Sequence, residues 1–151
     1  MVRFRPGRLA AGPPGGATKG IPMTFPAMPR YVDAWFRASI DADPDAWADT
    51  WTEDGIFHDP VGDPPIVGRE AIRKFIADAL PAFKPFLGLT PVEAYYVADS
   101  VAVSWRAAAV TGDGKPVNWA GINIYELAED GMIKEVRSYF SNAVFQAQAN
   151  G

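Results

Sequence analysis

The chain is 151 residues long, one domain's worth, and its 48% apolar and 13% aromatic content suffices for a packed core rather than a disordered polymer. It has no cysteine and one histidine, which excludes a disulfide framework, a thiolate nucleophile, a cysteine-ligated metal and a zinc site built from several imidazoles. Charge is uneven: Arg3, Arg5, Arg8, Lys19 and Arg30 stand in an acid-free stretch, leaving nine basic against 18 acidic residues beyond it, a formal −9 that repels a phosphate backbone and argues against nucleic-acid binding.

Residues 1–29 are rich in Gly and Pro, show no helical or strand period and lack the apolar stretch of a secretory signal. They are expected to be a disordered basic tail, with an organelle-targeting or polyanion-touching arm as the alternative, and Met23 and Met28 stand where a start could lie. No run approaches the roughly 18 apolar residues of a membrane span, so no membrane partner is expected. A cytoplasmic location is compatible with the cysteine-free composition.

From Tyr31 the pattern changes, and residues 30–145 are expected to fold as one domain, followed by a C-terminal tail over 146–151. Tyr31, Val32, Trp35, Phe36 and Ile40 form a stripe along a first helix that ends near DADP. Asp43 as N-cap and Pro44 as first helical residue open a second helix, with Trp47 and Trp51 at i, i+4 as its buried edge and Glu53-Asp54-Gly55 as its stop. GIFHDPV reads as a short strand running into Pro60. GREAIRKFIADAL reads as a third helix, with Ile72, Phe75 and Ile76 in its apolar stripe and Pro81 closing it.

Strand-like runs follow: VEAYYVA, SVAVSWRAAAVT, a TGDGK turn, PVNWAGINIYELA, an EDG turn and MIKEVRSYF. This order predicts an α+β fold, a cone-shaped α+β barrel in which three N-terminal helices pack on one face of a strongly curved, mostly antiparallel sheet. The wide end of such a cone is a natural small-molecule pocket.

Strand alternation divides the FHDPVG stretch, placing Phe57 and Asp59 on one face and Ile56 and His58 on the other. Asp59 has two readings. Asp-Pro is a common turn opener; alternatively, if Phe57 faces the core, so does Asp59, and a desolvated carboxylate has a raised pKa that suits a general base near neutral pH. His58 is expected outward, at the surface or a subunit interface. On the late strand Trp119, Asn123 and Tyr125 share a face that looks pocketward, with Asn123 as a buried neutral donor for a bound carbonyl.

The stretch DPVGDPPIVGREAIRKFI, set after two helices and before a sheet meander, resembles the ketosteroid isomerase branch of the nuclear-transport-factor-2-like superfamily, which includes the SnoaL-like polyketide cyclases. The resemblance spans about residues 31–143. It implies Asp59 as the base, since those isomerases use the aspartate of D-P-V-G together with an oxyanion hole of a tyrosine and a protonated carboxylic acid. Asn123 falls on the protonated acid, Trp35 on the helix-one tyrosine with Tyr31 one turn earlier, and Ile76 on a second pocket tyrosine.

The expected catalytic set is therefore Asp59, Asn123, Tyr31 and Trp35, and the expected pocket wall Phe57, Phe75, Ile76, Trp119 and Tyr125. The expected activity is acid/base proton transfer beside a carbonyl of an apolar small molecule, of isomerase or cyclase type, with no metal or organic cofactor. The alternative is a non-catalytic ligand-binding or structural member of the same fold. A homodimer is expected, because outward Ile122, Ile124 and Val136 would leave an apolar convex face.

Overall fold

The computed structural model describes residues 24–151, so residues 1–23 of the tail expected over 1–29 lie outside the described residues. Residues 24–29 form neither helix nor strand, yet Phe25 is buried beneath the Arg37 guanidinium, 4.2 Å from its ring centroid. Packing thus begins ahead of the first helix.

Helix α1 (Arg30–Ile40) buries the face of Val32, Trp35, Phe36 and Ser39, while Asp33 and Arg37 pair across its solvent side at 2.6 Å. Helix α2 (Pro44–Ala48) starts as its residues dictate: Pro44 is its first residue and the Asp43 carboxylate accepts the Ala46 N–H at 3.0 Å. It ends sooner than the Trp47/Trp51 spacing implied. The Thr50 hydroxyl donates to the Trp47 carbonyl, and Trp51 opens strand β1 (Trp51–His58) instead. A Trp flanked by Thr50 and Thr52 suits a pleated, buried surface at least as well as a helix.

Strand β2 (Ile66–Val67) pairs with β1 before α3 (Arg69–Ala79) and a 3₁₀ turn over Leu80–Ala82. Among the described residues two helices therefore precede the first strand and α3 follows it, which corrects the expected set of three N-terminal helices. Strands β3 (Phe83–Val97), β4 (Ser100–Thr111), β5 (Pro116–Leu127) and β6 (Ile133–Tyr139) form the meander, and α4 (Asn142–Ala149), where a tail was expected, closes the chain. The six strands lie in the order β2-β1-β6-β5-β4-β3, antiparallel except where β1 runs parallel to β6.

Register decides what the sheet offers to the helices. Phe57, Val136, Tyr125 and Val101 stand abreast on β1, β6, β5 and β4, all buried. Val136, expected outward, is inward because the β5–β6 register shifts between Glu126/Glu135 and Leu127/Ile133, so that both Ile133 and Val136 reach the core. Against this layer pack the rings of Trp35, Trp47 and Trp51, each within 6 Å of the next. His58 points the other way, as expected, its Nε2 3.1 Å from Glu135 Oε2.

Helix α1 meets β3 at Gly88, whose φ is +83° and whose missing side chain leaves room for Ile40; a Cβ there would stand 2.5 Å from the Ile40 Cα. Backbone cannot yield as a side chain does. Gly88→Ala is expected to lower unfolding free energy by about 2–4 kcal/mol in urea denaturation, against about 1–2 kcal/mol for Gly114→Ala, where φ is +89° but the space is open, so equal losses at both sites would assign the effect to φ alone.

Candidate functional site

Between the helices and the sheet lies a cavity of about 400 Å³, within the range of small-molecule sites. Its floor is set by alternation on the strands: Phe57 and Asp59 continue inward from β1, Ser138 and Phe140 from β6, and Trp105 from β4. Trp35, Ser39 and Trp47 reach it from α1 and α2, and Phe75 and Ile76 from α3. Phe86, Trp119 and Phe145 complete an aromatic rim, with the Trp119 and Phe145 ring centroids 5.0 Å apart. No Lys, Arg or His among the described residues lines it. Gly121 is what lets the Trp105 ring lie flat to the strand, because a Cβ there would overlap that ring and the Tyr139 carbonyl.

Asp59 stands in this wall. Among the described residues its carboxylate accepts no hydrogen bond, so it does not cap the turn that follows; that turn is held instead by the Val61 N–H donating to the Ser138 carbonyl at 2.9 Å and the Asp63 N–H to the Pro60 carbonyl at 3.2 Å. Burial among aromatic side chains, and secondarily the nearby charge of Asp63, push its pKa from 3.8 up to about 7. Strand parity from Phe57 thus carries a titratable group into an apolar chamber.

The other expected catalytic residues are placed differently. Trp35 lines the cavity with its ring, but its indole N–H is buried without a partner among the described residues. Tyr31 does not line the cavity. It sits one turn toward the N-terminus of α1, at the end that meets the β5–β6 turn, with its ring near Gly131 and the Arg30 guanidinium 5.1 Å from its centroid. The cavity lies at the opposite end of α1, beyond Trp35.

Asn123 and Tyr125 face inward as expected, but they lie in the layer beneath the cavity wall and line none of it. Asn123 Oδ1 accepts the Trp105 indole N–H at 2.8 Å, and its Nδ2 donates to the Tyr125 hydroxyl at 3.0 Å. Burial raises the Tyr125 pKa well above its ordinary value, more than the hydrogen bond from Asn123 lowers it, so the phenol stays neutral. This buried triad orients Trp105 in the wall; it is not a donor set facing a ligand. Of the expected wall residues, Phe57, Phe75, Ile76 and Trp119 do line the cavity.

Sequence reasoning missed Trp47, Trp105, Ser138 and the α4 residues Asn142, Phe145 and Gln146, all of which line the cavity. Alternation through SVAVSW would have turned Trp105 inward with Val101 and Val103. Ser141 before NAVF was an N-cap signal for α4, its hydroxyl accepting the Val144 N–H at 3.3 Å.

Residues 32–136 match the family model for the SnoaL-like domain, and the chain belongs to that family. Among solved structures it is similar to a hypothetical protein with a ketosteroid isomerase-like fold from Catenulispora acidiphila in complex with trimethylamine, at 21% identity and a TM-score of 0.74 over 82% of this chain and 95% of that one. It is also similar to SalBIII, described as an epoxide hydrolase/cyclase-like enzyme in pyran ring formation in the polyether salinomycin, at 24% identity and a TM-score of 0.67 over 75% and 89%. TerC co-crystallised with polyporic acid aligns at 16% identity and a TM-score of 0.72 over 80% and 96%. No curated protein matches the sequence. At these identities the likeness carries the fold.

Removing the Asn123 amide strands the Trp105 N–H and the Tyr125 hydroxyl in the core. Asn123→Leu is expected to cost about 2–4 kcal/mol of unfolding free energy in urea. A cost below about 1 kcal/mol would mean that both groups find other partners.

Proposed function

We propose that this chain is an acid/base enzyme acting on an apolar small molecule, in which the Asp59 carboxylate removes a proton from carbon beside a carbonyl and returns it during isomerisation or ring closure. The observation that carries this reading is a carboxylate, Asp59, unbonded among the described residues and with a pKa near 7, in an aromatic-walled cavity whose other carboxylate, Asp43, caps α2 and whose described lining holds no cation. Such a base is half ionised at neutral pH and meets its proton without a competing ion pair. The proposed step calls on no metal or organic cofactor. The description of SalBIII as cyclase-like and the isomerase-like fold of the Catenulispora protein are consistent with chemistry of this class. The absence of lining cations favours neutral substrates over carboxylates and phosphates.

A thermal-shift panel of neutral enones, polyketide mimics and their carboxylate counterparts tests the substrate class, since a ligand at 100 times its Kd stabilises by about 2.7 kcal/mol. Neutral members are expected to raise Tm and charged ones not. On any carbon acid that binds, Asp59→Asn is expected to lower kcat by about 100-fold or more. The wild-type rate should rise tenfold per pH unit below about pH 6 and level off above about pH 8, following the ionised fraction of a group with pKa near 7. Ligand binding without turnover above the uncatalysed rate in the wild type would support a binding protein instead, and an unchanged catalysed rate in Asp59→Asn would assign the base elsewhere.

The same shift has a stability signature. Below pH 3.8 the carboxyl is protonated folded and unfolded, and contributes no pH dependence. Between there and about pH 7 the folded chain holds the proton more tightly than the unfolded one, so stability falls as pH rises, by up to about 4 kcal/mol, and is constant above. Asp59→Asn is therefore expected to gain stability over wild type at pH 8 and to lose that advantage near pH 4, as read by Tm at each pH.

Exposed Ile122 and Tyr139 on the outward sheet face support the homodimer as part of this proposal. Light scattering expects twice the mass of one chain, and Ile122→Glu a shift to monomer.

A further inference from the structure

The base needs a partner that the expected residues do not supply: something must hydrogen-bond the oxygen on which charge develops as the proton leaves. Asn123 is engaged below the wall, and Tyr31 lies at the far end of α1. Among the polar residues of the cavity, the Ser39 Oγ on α1 accepts the Leu89 N–H at 2.9 Å, the Asp43 carboxylate caps α2, and Asn142 and Gln146 stand exposed on α4, Gln146 accepting from the Asn150 amide at 3.0 Å. Ser138 alone of them is carried by the strand that pairs with β1. It is 2% exposed, it lines the cavity, and its hydroxyl makes no hydrogen bond among the described residues. The buried side-chain atoms without partners among the described residues are the Trp35 and Trp51 indole nitrogens and the Thr52 hydroxyl, so the Ser138 hydroxyl, unbonded and not one of them, is open to whatever fills the cavity.

Its position is set by register. His58 is paired with Arg137 across the parallel β1–β6 ladder, so Asp59 comes abreast of Ser138 one residue on, and the Val61 N–H on the Ser138 carbonyl, at 2.9 Å, fastens the chain just past Asp59 to that point. On its other side Ser138 pairs with Asn123. Neighbouring strands lie about 4.8 Å apart. A carbonyl oxygen is about 2.4 Å from its α-carbon, so a substrate whose α-proton meets the Asp59 carboxylate has its oxygen within a hydrogen bond's length of a donor on the next strand.

We propose that Ser138 is a catalytic residue, its Oγ–H donating to the substrate oxygen while Asp59 removes the adjacent proton. This rests on Asp59 as the base. In the step the C–H electron pair becomes the new carbon–carbon π bond, the carbonyl π pair moves onto oxygen, and the proton rests on Asp59. The Ser138 hydroxyl keeps its own proton throughout, and Asp59 returns its proton to carbon as the carbonyl re-forms.

A nitrobenzisoxazole tests both residues separately, because a base takes its ring C–H proton, the N–O bond breaks, and a nitrile and a coloured phenoxide appear, the phenoxide oxygen needing a donor. Ser138→Ala is expected to lower kcat about 10- to 100-fold with KM within about twofold and the midpoint of the pH–rate profile unmoved. Ser138→Thr, which keeps the hydroxyl, restores most of the rate. In parallel, binding of 2-naphthol, read by quenching of the cavity tryptophans, should weaken about tenfold in Ser138→Ala and not in Ser138→Thr. A Ser138→Ala rate equal to wild type, with Asp59→Asn inactive, overturns the donor and leaves the base standing. A wild-type rate no higher than that of Asp59→Asn overturns the base, and naphthol affinity that is absent, or equal in wild type and Ser138→Ala, overturns the donor on its own.

Discussion

The parallel pairing of β1 with β6 is the constraint on which the site depends. Among the described residues it is the sheet's one parallel contact, and it joins the strand that follows α2 to the last strand of the meander. With Phe57 opposite Val136, every second residue beyond them on both strands faces the helices. Phe57 is held by the rings of Trp47, Trp51 and Phe75, all with centroids within about 6 Å, so the face it occupies is not negotiable. A one-residue slip would turn Asp59 to the solvent side, where its pKa would return to that of an ordinary carboxylate, and would bring His58 into the cavity in its place.

Much of this was legible in the chain. Alternation through FHD assigned Phe57 and Asp59 to one side and His58 to the other, and Asp43-Pro44 announced α2 by its capping chemistry. What stayed illegible had physical causes. Strand β3 contains Pro85, Gly88 and Pro91, residue types of loops that here sit on an edge strand with a shifting register, where a missing N–H costs nothing. Trp51 satisfied a helical stripe and a strand equally, and the neighbour that decided between them, Ile133, is 82 positions away in sequence.

The site taught a finer distinction. Parity tells which side of a sheet a residue faces, not how deep it lies. Tyr125, Asn123 and Trp105 all point inward from adjacent strands, yet only Trp105 reaches the cavity, because the other two are covered by the rings packed above them: Tyr125 by Trp35 at 5.5 Å, Asn123 by Trp105 through its own hydrogen bond. The carbonyl-binding role that the D-P-V-G resemblance suggested for Asn123 is thus blocked by an indole, while the neighbouring small side chain of Ser138 lines the cavity.

Helix α4 bears on a different matter, the behaviour of the sheet's own margins. Strand β6 stops at Tyr139, opposite Ile122, so β5 continues toward Pro116 with no strand on that flank. Gln148 fills the gap: its side-chain amide accepts the Asn118 N–H at 2.8 Å and donates to the Asn118 carbonyl at 2.6 Å, the two bonds a neighbouring strand residue would have made. At the opposite margin, Pro85 and Pro91 strip donors from β3, which otherwise exposes Val92, Tyr95, Tyr96 and Val97. One amide and two imino acids therefore deny a second chain the continuous ladder it would need to extend this sheet edge to edge, the step by which open β-structure begins to aggregate.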